Sequence, residues 1–395
     1  MAVLRPERGV APASPTAWAE RVIETDRRAG LLRRPREREG GSGHRCSVDG
    51  RPVVVFSSND YLGLAAHPAV RDAAARAALE LGVGSTGSRH LSGGHRGIGE
   101  LEEELASFLG SATATLAPSG YAANVAVLEA LGGSDATILS DAHNHASLID
   151  GCRASRSRVE VYRHLDAAHL EERLHGVEGR AVIVTDAVFS TDGTAPDLRA
   201  LDRLARRHGA WLVVDEAHAL GTTGPGGRGL AAAQGVGGDH LVRMVTLSKA
   251  LGSAGGAVCG TATLRQLLLQ RGRALIFSTA LPHPSVAAAT AALRLLSARP
   301  ELVERLGDVA RRLRAGLGDA AAPAASPRSP IVAVPTGDAE RTMRLDAALW
   351  QRGYLVQGLR PPTVPAGSCR LRLVASAVHT DAEVDGVAAA VTDLL

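Results

Sequence analysis

The chain has 395 residues, 45% of them hydrophobic, and its 44 Lys and Arg residues oppose 41 Asp and Glu residues for a net charge of +3. This near balance gives no electrostatic case for a nucleic-acid or membrane partner, no apolar run reaches the roughly 18–20 residues of a membrane span, and the first residues lack the apolar core of a secretory signal. The four cysteines have no metal-ligand spacing, which favours free thiols in a reducing cytoplasm.

The N-terminal part of the chain is predicted to be mostly helical. Residues 16–38 have the spacing of an amphipathic, arginine-rich helix, and a Gly-rich link follows at residues 40–43. A strand is predicted for residues 51–57, and helices are predicted for residues 68–82 and 99–109. The first helix would therefore form an arm that precedes the main fold.

From residue 115 to residue 260, short apolar runs alternate with helical stretches of about 10–15 residues. The runs are apolar throughout, as in strands covered on both faces. Two further strands are predicted near the C-terminus, after Ala- and Leu-rich helices. The expected fold class is therefore α/β, with a mainly parallel central sheet flanked by helices and a smaller α+β C-terminal domain. The expected units are an N-terminal helical arm (1–50), a large α/β domain (51–285) and a small C-terminal domain (286–395).

The chain contains a single lysine, Lys249, among its 44 Lys and Arg residues. Arginine replaces lysine in ion pairs and at helix ends, but its guanidinium stays protonated and cannot act as an amine nucleophile. A Schiff base requires a primary amine whose pKa can be lowered. A lysine kept at one place therefore indicates amine chemistry there, although the codon bias that enriches Ala, Gly and Arg would also leave few lysines.

Polar side chains cluster directly after four of the predicted strands. They are His143 and His145 after ATILS, Asp186, Ser190 and Asp192 after AVIVT, Asp215, Glu216 and His218 after WLVV, and Thr246, Ser248 and Lys249 after VRMV. Ligands of parallel sheets bind at the carboxyl ends of strands, so we expect these groups to converge.

This set of groups suits the ring of pyridoxal phosphate. A carboxylate must face the pyridine nitrogen, and Asp215 is the candidate. His218 would reach the phenolic oxygen, and His145 would stack on the ring. An isolated Asp at a strand end is also a common helix N-cap, and His143 with His145 could be core histidines or metal ligands. A third ligand at suitable spacing is missing, so a metal site is not predicted.

The phosphate of such a cofactor requires backbone N–H groups at a helix start and nearby hydroxyls. Residues 119–121 follow an apolar strand and open a helix, and Thr246 and Ser248 lie beside the lysine. An ordinary turn would also explain the Ser-Gly pair.

Together, VDEAH (214–218), TLSKALG (246–252) and SGYAAN (119–124) resemble the α-oxoamine synthases, a family of fold-type-I pyridoxal-phosphate enzymes. These enzymes join an amino acid to an acyl-CoA and release carbon dioxide. The resemblance covers nearly the whole chain. Further matching motifs are SSNDYLGL (57–64), GSTGSRHLSG (84–93), LEEELASFLG (101–110), HASL (145–148), VFSTDG (188–193) and RPPTVPAG (360–367), the last of which is similar to the biotin branch of the family.

The resemblance implies a role for each matching residue. The implied catalytic residues are Lys249, His145 and Asp215. The implied cofactor-binding residues are Gly120, Tyr121, His145, Ser190, Asp215, His218, Thr246 and Lys249, with Ser278 and Thr279 reaching the neighbouring phosphate across a homodimer interface. The implied substrate-binding residues are Arg372, which would hold the α-carboxylate, and Arg33, Thr363 and Ser88.

The implied reaction is the decarboxylative condensation of L-alanine with a pimeloyl thioester, carried on CoA or on a carrier protein, in biotin biosynthesis. Relatives that accept only glycine carry threonine at the position of Ser88, so the smaller residue is consistent with room for the methyl group of alanine. The chain departs from the family at Ile98, Ala219 and His283, and the first departure affects expected acyl-chain or CoA contacts.

Two alternatives remain open. The same site could serve another α-oxoamine synthase, such as a glycine C-acetyltransferase or an enzyme of secondary metabolism. The chain could also be a regulator that binds the cofactor without turnover, but the segment of about 50 residues before the main fold has no helix-turn-helix pattern.

Overall fold

The computed structural model describes residues 14–326 and 328–395. Its strands are β1 (Arg38–Glu39), β2 (Arg45–Val48), β3 (Arg51–Val55), β4 (Thr113–Ala117), β5 (Ala136–Asp141), β6 (Arg158–Tyr162), β7 (Arg180–Asp186), β8 (Trp211–Asp215), β9 (Leu241–Thr246), β10 (Gly256–Gly260), β11 (Ile331–Gly337), β12 (Tyr354–Leu355), β13 (Gln357–Leu359) and β14 (Cys369–Val374). Its α-helices are α1 (Pro15–Arg28), α2 (Pro68–Leu81), α3 (Arg96–Leu109), α4 (Gly120–Leu131), α5 (Ala146–Ala154), α6 (Ala167–Leu174), α7 (Leu198–His208), α8 (Leu230–Gln234), α9 (Ala262–Arg271), α10 (Arg273–Ile276), α11 (His283–Ala298), α12 (Glu301–Leu317), α13 (Ala339–Gln351) and α14 (Asp381–Thr392).

The central sheet has seven strands in the order β4-β10-β9-β8-β7-β5-β6. All neighbouring pairs from β9 to β6 are parallel, and β10 alone runs antiparallel to both of its neighbours. Helices connect the parallel strands, as parallel pairing requires. The mainly parallel α/β sheet predicted from the sequence is confirmed.

Helices cover both faces of this sheet, which explains why its strands are apolar throughout. In β8, Val213 belongs to a buried cluster with α4 and α9 on one face. Its neighbours Leu212 and Val214 belong to a second cluster with α6 and α7 on the other face. Each of these side chains contributes about 1.5–3 kcal/mol through burial.

Two smaller sheets complete the fold. The order of one is β1-β2-β3-β12, and the order of the other is β11-β14-β13. β3 pairs in parallel with β12, so residues from the two ends of the chain share a sheet. The division at residues 50 and 285 stays a prediction, and residues 1–13 of the predicted arm lie outside the described part of the chain.

The N-terminal helix is shorter than the prediction of residues 16–38. It ends at Arg28, and Gly30 follows with a left-handed φ of 67°. Pro35 then disfavours helical conformation in the residue before it. Amphipathic spacing alone does not contain these stop signals. None of the helices in residues 14–326 and 328–395 combines the length and apolar character needed to cross a bilayer.

Candidate active site

Neighbouring parallel strands bring the predicted polar groups to one edge of the central sheet. β8 ends at Asp215, and β7 ends at Asp186, directly opposite Asp215 in the register. β9, the neighbour on the other side of β8, ends at Thr246 and leads into Lys249. The loop after β5 leads to His145. The convergence expected from the strand ends is therefore present.

The amine of Lys249 lies next to an imidazole. Its Nζ atom is 2.8 Å from Nε2 of His218. Burial lowers the pKa of Lys249 to about 8, and the charges of Asp215 and Asp186 oppose this shift. Burial also holds the pKa of His218 well below its usual value, so this ring is neutral. A buried amine that is easily deprotonated is what Schiff-base formation requires.

Asp215 is a buried carboxylate with two hydrogen-bond donors. Its Oδ1 accepts from the backbone N–H of Ala217 at 2.8 Å, and its Oδ2 accepts from Nδ2 of Asn124 at 2.7 Å. Hydrogen bonds of this kind favour an ionised carboxylate. Burial, and then the charge of Asp215, raise the pKa of Asp186 well above its usual value. The shift favours the protonated form of Asp186 next to Asp215.

His145 is held in one orientation at the start of α5. Its Nδ1 accepts the backbone N–H of Ser147 at 3.2 Å and lies 2.8 Å from the hydroxyl of the same residue. Its own backbone N–H donates to Asp186 at 2.8 Å. Desolvation lowers the pKa of His145. A neutral, fixed imidazole is suited to stacking on an aromatic ring.

The start of α4 lies beside the end of β9. Ser119 is the N-cap, and its hydroxyl accepts the N–H of Ala122 at 3.0 Å. A Cβ on Gly120 would lie 3.3 Å from the Cβ of Thr246, so only glycine fits without displacement. The Thr246 hydroxyl is 2.8 Å from that of Ser248. N–H groups at a helix start next to two hydroxyls form a site for a phosphate.

Arg372 lies on β14 near Lys249, and not all of its hydrogen-bond donors have partners among the described residues. Its Nη2 donates to Oδ1 of Asn59 at 2.9 Å, and its Nη1 donates to Oε1 of Gln357 at 3.4 Å. Its buried Nε has no hydrogen-bond partner among the described residues. An arginine with an unsatisfied buried donor is suited to binding a substrate carboxylate.

Arg33 and Thr363, predicted to bind substrate, lie together although 330 residues separate them. The guanidinium of Arg33 donates to the Thr363 hydroxyl at 3.2 Å, and both groups are exposed. Arg360 donates to the carbonyl of Leu32 at 2.7 Å and so ties the two segments together. Arg36, by contrast, pairs with Asp346.

Ser88 lies on a segment next to the one that carries Ser278 and Thr279. Ser88 and Thr279 are joined by an isolated antiparallel β-bridge. Ser278 and Thr279 line a small cavity together with Pro118, close to the start of α4. Within one chain they have no hydrogen bond to Lys249 among the described residues.

Three other predicted residues have separate surroundings. Ser190 is half-buried in the turn after β7. Tyr121 opens α4, but its hydroxyl donates outwards to Asp150 on α5. Glu216 is fully buried in an ion pair with Arg243, at 3.1 Å from its Nε, and therefore supports the fold instead of the site.

The residues present fit pyridoxal phosphate. Lys249 supplies an amine of lowered pKa, and Asp215 supplies the buried charge for a pyridinium. Ser119 and Tyr121 at the start of α4 are exposed, so the helix start is accessible to a phosphate. Across the described residues, no group of three or more His, Cys, Asp or Glu side chains is placed to hold a metal ion.

Reasoning from the sequence missed four residues of this group. Asn124 contacts Asp215, Ser147 contacts His145, and Asn59 and Tyr61 contact Arg372. Each lies inside a motif that the family resemblance had marked: SGYAAN, HASL or SSNDYLGL. The motifs were therefore the available signal, and only the folded geometry assigns a partner to each side chain.

The three departures from the family lie outside the immediate surroundings of Lys249. Ile98 is buried in α3, and Ala219 is buried in the turn after β8. His283 begins α11, and its ring centroid is 4.0 Å from that of His95. His95 is the N-cap of α3, three residues before the position where the family usually has histidine.

A family model described as aminotransferase class I and II matches residues 51–391. The chain is 47% identical to an 8-amino-7-oxononanoate synthase of Anaeromyxobacter dehalogenans, with 88% of each chain covered. It is 46% identical to a protein of the same name from Methylobacterium nodulans, with 97% of this chain and 99% of the relative covered. These similarities extend over the whole region that contains the strand-end cluster.

Among solved structures, the chain is similar to a serine palmitoyltransferase from S. paucimobilis with bound PLP. The two are 30% identical, the TM-score is 0.88, and the match covers 96% of each chain. This neighbour and the family model confirm the fold-type-I architecture expected from the sequence. They also confirm pyridoxal phosphate as the cofactor.

Proposed function

The chain belongs to the class I and II aminotransferase family, and within it to the α-oxoamine synthases; from this premise we propose that it condenses L-alanine with a pimeloyl thioester. The products are 8-amino-7-oxononanoate, the free thiol and carbon dioxide, in a step of biotin biosynthesis. One bond forms, between the alanine α-carbon and the thioester carbonyl carbon. The C–S bond of the thioester and the bond to the alanine carboxylate break.

This proposal depends on the positions of Lys249 and Asp215, which lie at the ends of adjoining strands and near an arginine with a donor that has no partner among the described residues. The amine has a pKa of about 8 and lies 2.8 Å from His218. Asp215 is buried and accepts two hydrogen bonds, and Arg372 has an Nε without a partner among the described residues. An amine, a buried charge and a carboxylate binder are the three groups that amino-acid chemistry on this cofactor needs.

The roles of the residues follow from their chemistry. When bound, pyridoxal phosphate supplies an electron sink for charge left at the amino-acid α-carbon. Lys249 holds the cofactor and moves the proton at the α-carbon of alanine. Asp215 keeps the ring nitrogen protonated, and His145 stacks on the ring. Arg372 binds the alanine carboxylate, which fixes the orientation of the α-carbon.

The remaining predicted residues complete the binding sites. The start of α4 and Thr246 would hold the phosphate, and the motif resemblance implies that His218 and Ser190 would serve the phenolic oxygen. Arg33 and Thr363 contact the substrate from the segment that Arg360 secures. These assignments are supported by the motif resemblance and by the contacts of the described residues.

The proposed reaction is tested by identifying its product. Purified protein with alanine and pimeloyl-CoA is expected to give 8-amino-7-oxononanoate by mass, with one thiol released for each product molecule. Alanine labelled with ¹³C in its carboxyl group is expected to release the label as carbon dioxide. A product that keeps the labelled carboxylate, or no product with either the CoA or the carrier-protein thioester, would exclude the proposal.

A second α-oxoamine synthase activity is favoured by the structural similarity to a serine palmitoyltransferase. Its test is a panel of alanine, glycine and serine against pimeloyl-, acetyl- and palmitoyl-CoA. We expect alanine with pimeloyl-CoA to have the highest kcat/KM, because the relatives at 46–47% identity are named 8-amino-7-oxononanoate synthase. A preference for serine and a long acyl chain would support the second activity instead.

Replacement of Arg372 by Lys is expected to raise the KM for alanine by roughly 10–100-fold, because a planar two-point donor becomes a point charge. Steady-state kinetics with each substrate varied in turn measures this effect. The KM for the acyl donor should change much less. Arg352→Lys on the exposed end of α13 is the control. A rise in the KM for the acyl donor alone would contradict the assignment.

We further propose that the chain is a homodimer. Large apolar side chains are exposed on two segments joined by the Ser88–Thr279 bridge: Leu79 (87%), Leu81 (60%), Val83 (75%), Leu91 (83%) and Phe277 (71%). Apolar side chains exposed together on neighbouring segments are typical of protein interfaces. The patch contains Ser278 and Thr279, for which the resemblance implies contact with the neighbouring subunit's phosphate.

The dimer proposal predicts a particle of twice the chain mass of 40.8 kDa in sedimentation analysis. Leu91→Arg is expected to shift the protein towards the monomer mass and to weaken cofactor retention. Val161→Arg, which also replaces an exposed apolar residue but lies on β6, is the matched control. A wild-type monomer that retains the cofactor would contradict the proposal.

We propose a cytoplasmic location for this activity. The four cysteines are all unpaired in the structure, which is consistent with a reducing compartment.

A further inference from the structure

The phenol of Tyr61 is fully buried between two groups of the active site. Its Oη is 2.5 Å from Nδ1 of His218, and the other ring nitrogen of His218 is 2.8 Å from Nζ of Lys249. The guanidinium of Arg372 is also a hydrogen-bonding neighbour of the phenol. Tyr61 thus lies between the proposed carboxylate binder and the proposed acid/base.

The hydrogen of this phenol has a definite direction. Burial raises the pKa of Tyr61 to about 12, so the hydroxyl keeps its proton at neutral pH. Arg372 has only donors to offer and cannot accept that hydrogen. Two acceptors remain, Nδ1 of His218 at 2.5 Å and Oδ1 of Asn59 at 3.4 Å. The shorter contact is the hydrogen bond, because hydroxyl donors usually lie about 2.5–3.0 Å from their acceptors.

The direction of this bond determines the tautomer of His218. A neutral imidazole carries one N–H, so if Nδ1 accepts from Tyr61 the proton resides on Nε2. That N–H then points at Nζ of Lys249, 2.8 Å away. An ammonium group has no lone pair and cannot accept this hydrogen bond, whereas a neutral amine can. The arrangement therefore favours the neutral form of Lys249.

Other groups around Lys249 act on it through charge. Asp215 and Asp186, at the ends of β8 and β7, favour the ammonium form, and Arg372 on β14 disfavours it. His145 at the start of α5 is neutral when its pKa is lowered by burial. Tyr61 carries no charge, so removing its hydroxyl changes the hydrogen-bond direction without changing the local charge.

We infer that Tyr61 is a positioning residue that fixes His218 with its proton on Nε2 and thereby holds Lys249 as the neutral amine. Its significance for catalysis rests on the proposed function, in which Lys249 must be unprotonated to bind the cofactor and to take a proton from the substrate. Contact with Arg372 also connects this chain of hydrogen bonds to the group that binds the substrate carboxylate.

The single lysine makes a direct test possible. In the full chain, freed of cofactor and labelled with ¹⁵N-lysine, one Nζ resonance reports the titration of Lys249. The wild-type midpoint is expected near the pKa of about 8. In Tyr61→Phe the ring of His218 is free to present an acceptor to the ammonium, so the midpoint is expected to rise by about one pH unit.

Tyr354→Phe is the matched control, because it removes the same hydroxyl from a ring on β12 that packs against Phe56. Its midpoint should equal that of the wild type. Equal midpoints in Tyr61→Phe and wild type would overturn the inference. The titration contains no substrate, so failure of the proposed condensation would leave its result unchanged.

A second measurement needs no folded Tyr61 variant. Wild-type chain labelled with ¹⁵N-histidine reports the tautomer of each ring, and the His218 signals are those lost in His218→Gln. For His218, we expect the ¹⁵N shift of an unprotonated nitrogen at Nδ1 and that of a protonated nitrogen at Nε2. The opposite tautomer would overturn the inference, whatever Tyr61→Phe does.

Discussion

Replacement of Lys249 by Ala is expected to remove the visible absorption of the protein-bound cofactor and to lower turnover by roughly 10⁴-fold. Lys249 is the only lysine in the chain, so no other side chain supplies a primary amine. Its Nζ lies 2.8 Å from Nε2 of His218, and the nearby carboxyl groups of Asp215 and Asp186 act on it electrostatically. Absorption spectra of the reconstituted protein and the rate of thiol release from pimeloyl-CoA measure the two effects.

The matched control for this change is Lys249→Arg. Arginine keeps the positive charge and much of the side-chain length, but its guanidinium does not lose a proton in proteins. We therefore expect the arginine variant to be as inactive as the alanine variant. If Lys249→Arg retained turnover, the role of residue 249 would be electrostatic, and the amine chemistry proposed here would be wrong.

Much of the central sheet could be predicted because two physical rules act locally. Strands covered on both faces are apolar throughout, and β7 and β8 are visible in the sequence for that reason. Residues that follow such strands meet at one edge, which is why Asp215, Lys249 and His145 were expected to be neighbours. The single lysine added a chemical argument that did not depend on the fold.

The contacts between distant segments could not be predicted in the same way. Asn124 and Asp215 are 91 residues apart, and their contact depends on α4 packing across the sheet beside β9 and β10. Tyr61 and Arg372 come from opposite ends of the chain, and their segments are joined by backbone hydrogen bonds from Val374 to Phe56 and from Ala377 to Tyr61. Strand order and the packing of helices on the sheet depend on the whole chain, so they cannot be predicted from local sequence patterns.

Glu216 illustrates the opposite error. It follows Asp215 directly and was grouped with the site residues from its position at a strand end. Successive residues after a strand face different ways, and Glu216 instead accepts the backbone N–H of Ala231 at 2.8 Å and pairs with Arg243. A buried ion pair of this kind contributes to the fold. Sequence position identified the right edge of the sheet but not the direction of each side chain.

Asp215 and Asp186 form a natural matched pair for testing the role of charge. They are buried to the same extent, at 3% exposure, and lie opposite each other in adjacent parallel strands. Burial and the charge of Asp215 raise the pKa of Asp186 well above its usual value, which favours the protonated form of Asp186. An Asn substitution is therefore expected to change the local charge more at position 215 than at position 186.

Asp215→Asn is expected to lower kcat by about 10³-fold, because the ring nitrogen loses the charge that keeps it protonated. The amide also has one oxygen for the two donors from Ala217 and Asn124, which should cost about 1–3 kcal/mol of unfolding free energy. The loss of kcat in Asp186→Asn should be smaller than that in Asp215→Asn by a factor of about ten or more. Kinetics at saturating substrate and urea unfolding of both variants measure these effects. Equal losses of kcat would show that geometry, and not the charge of Asp215, governs the reaction.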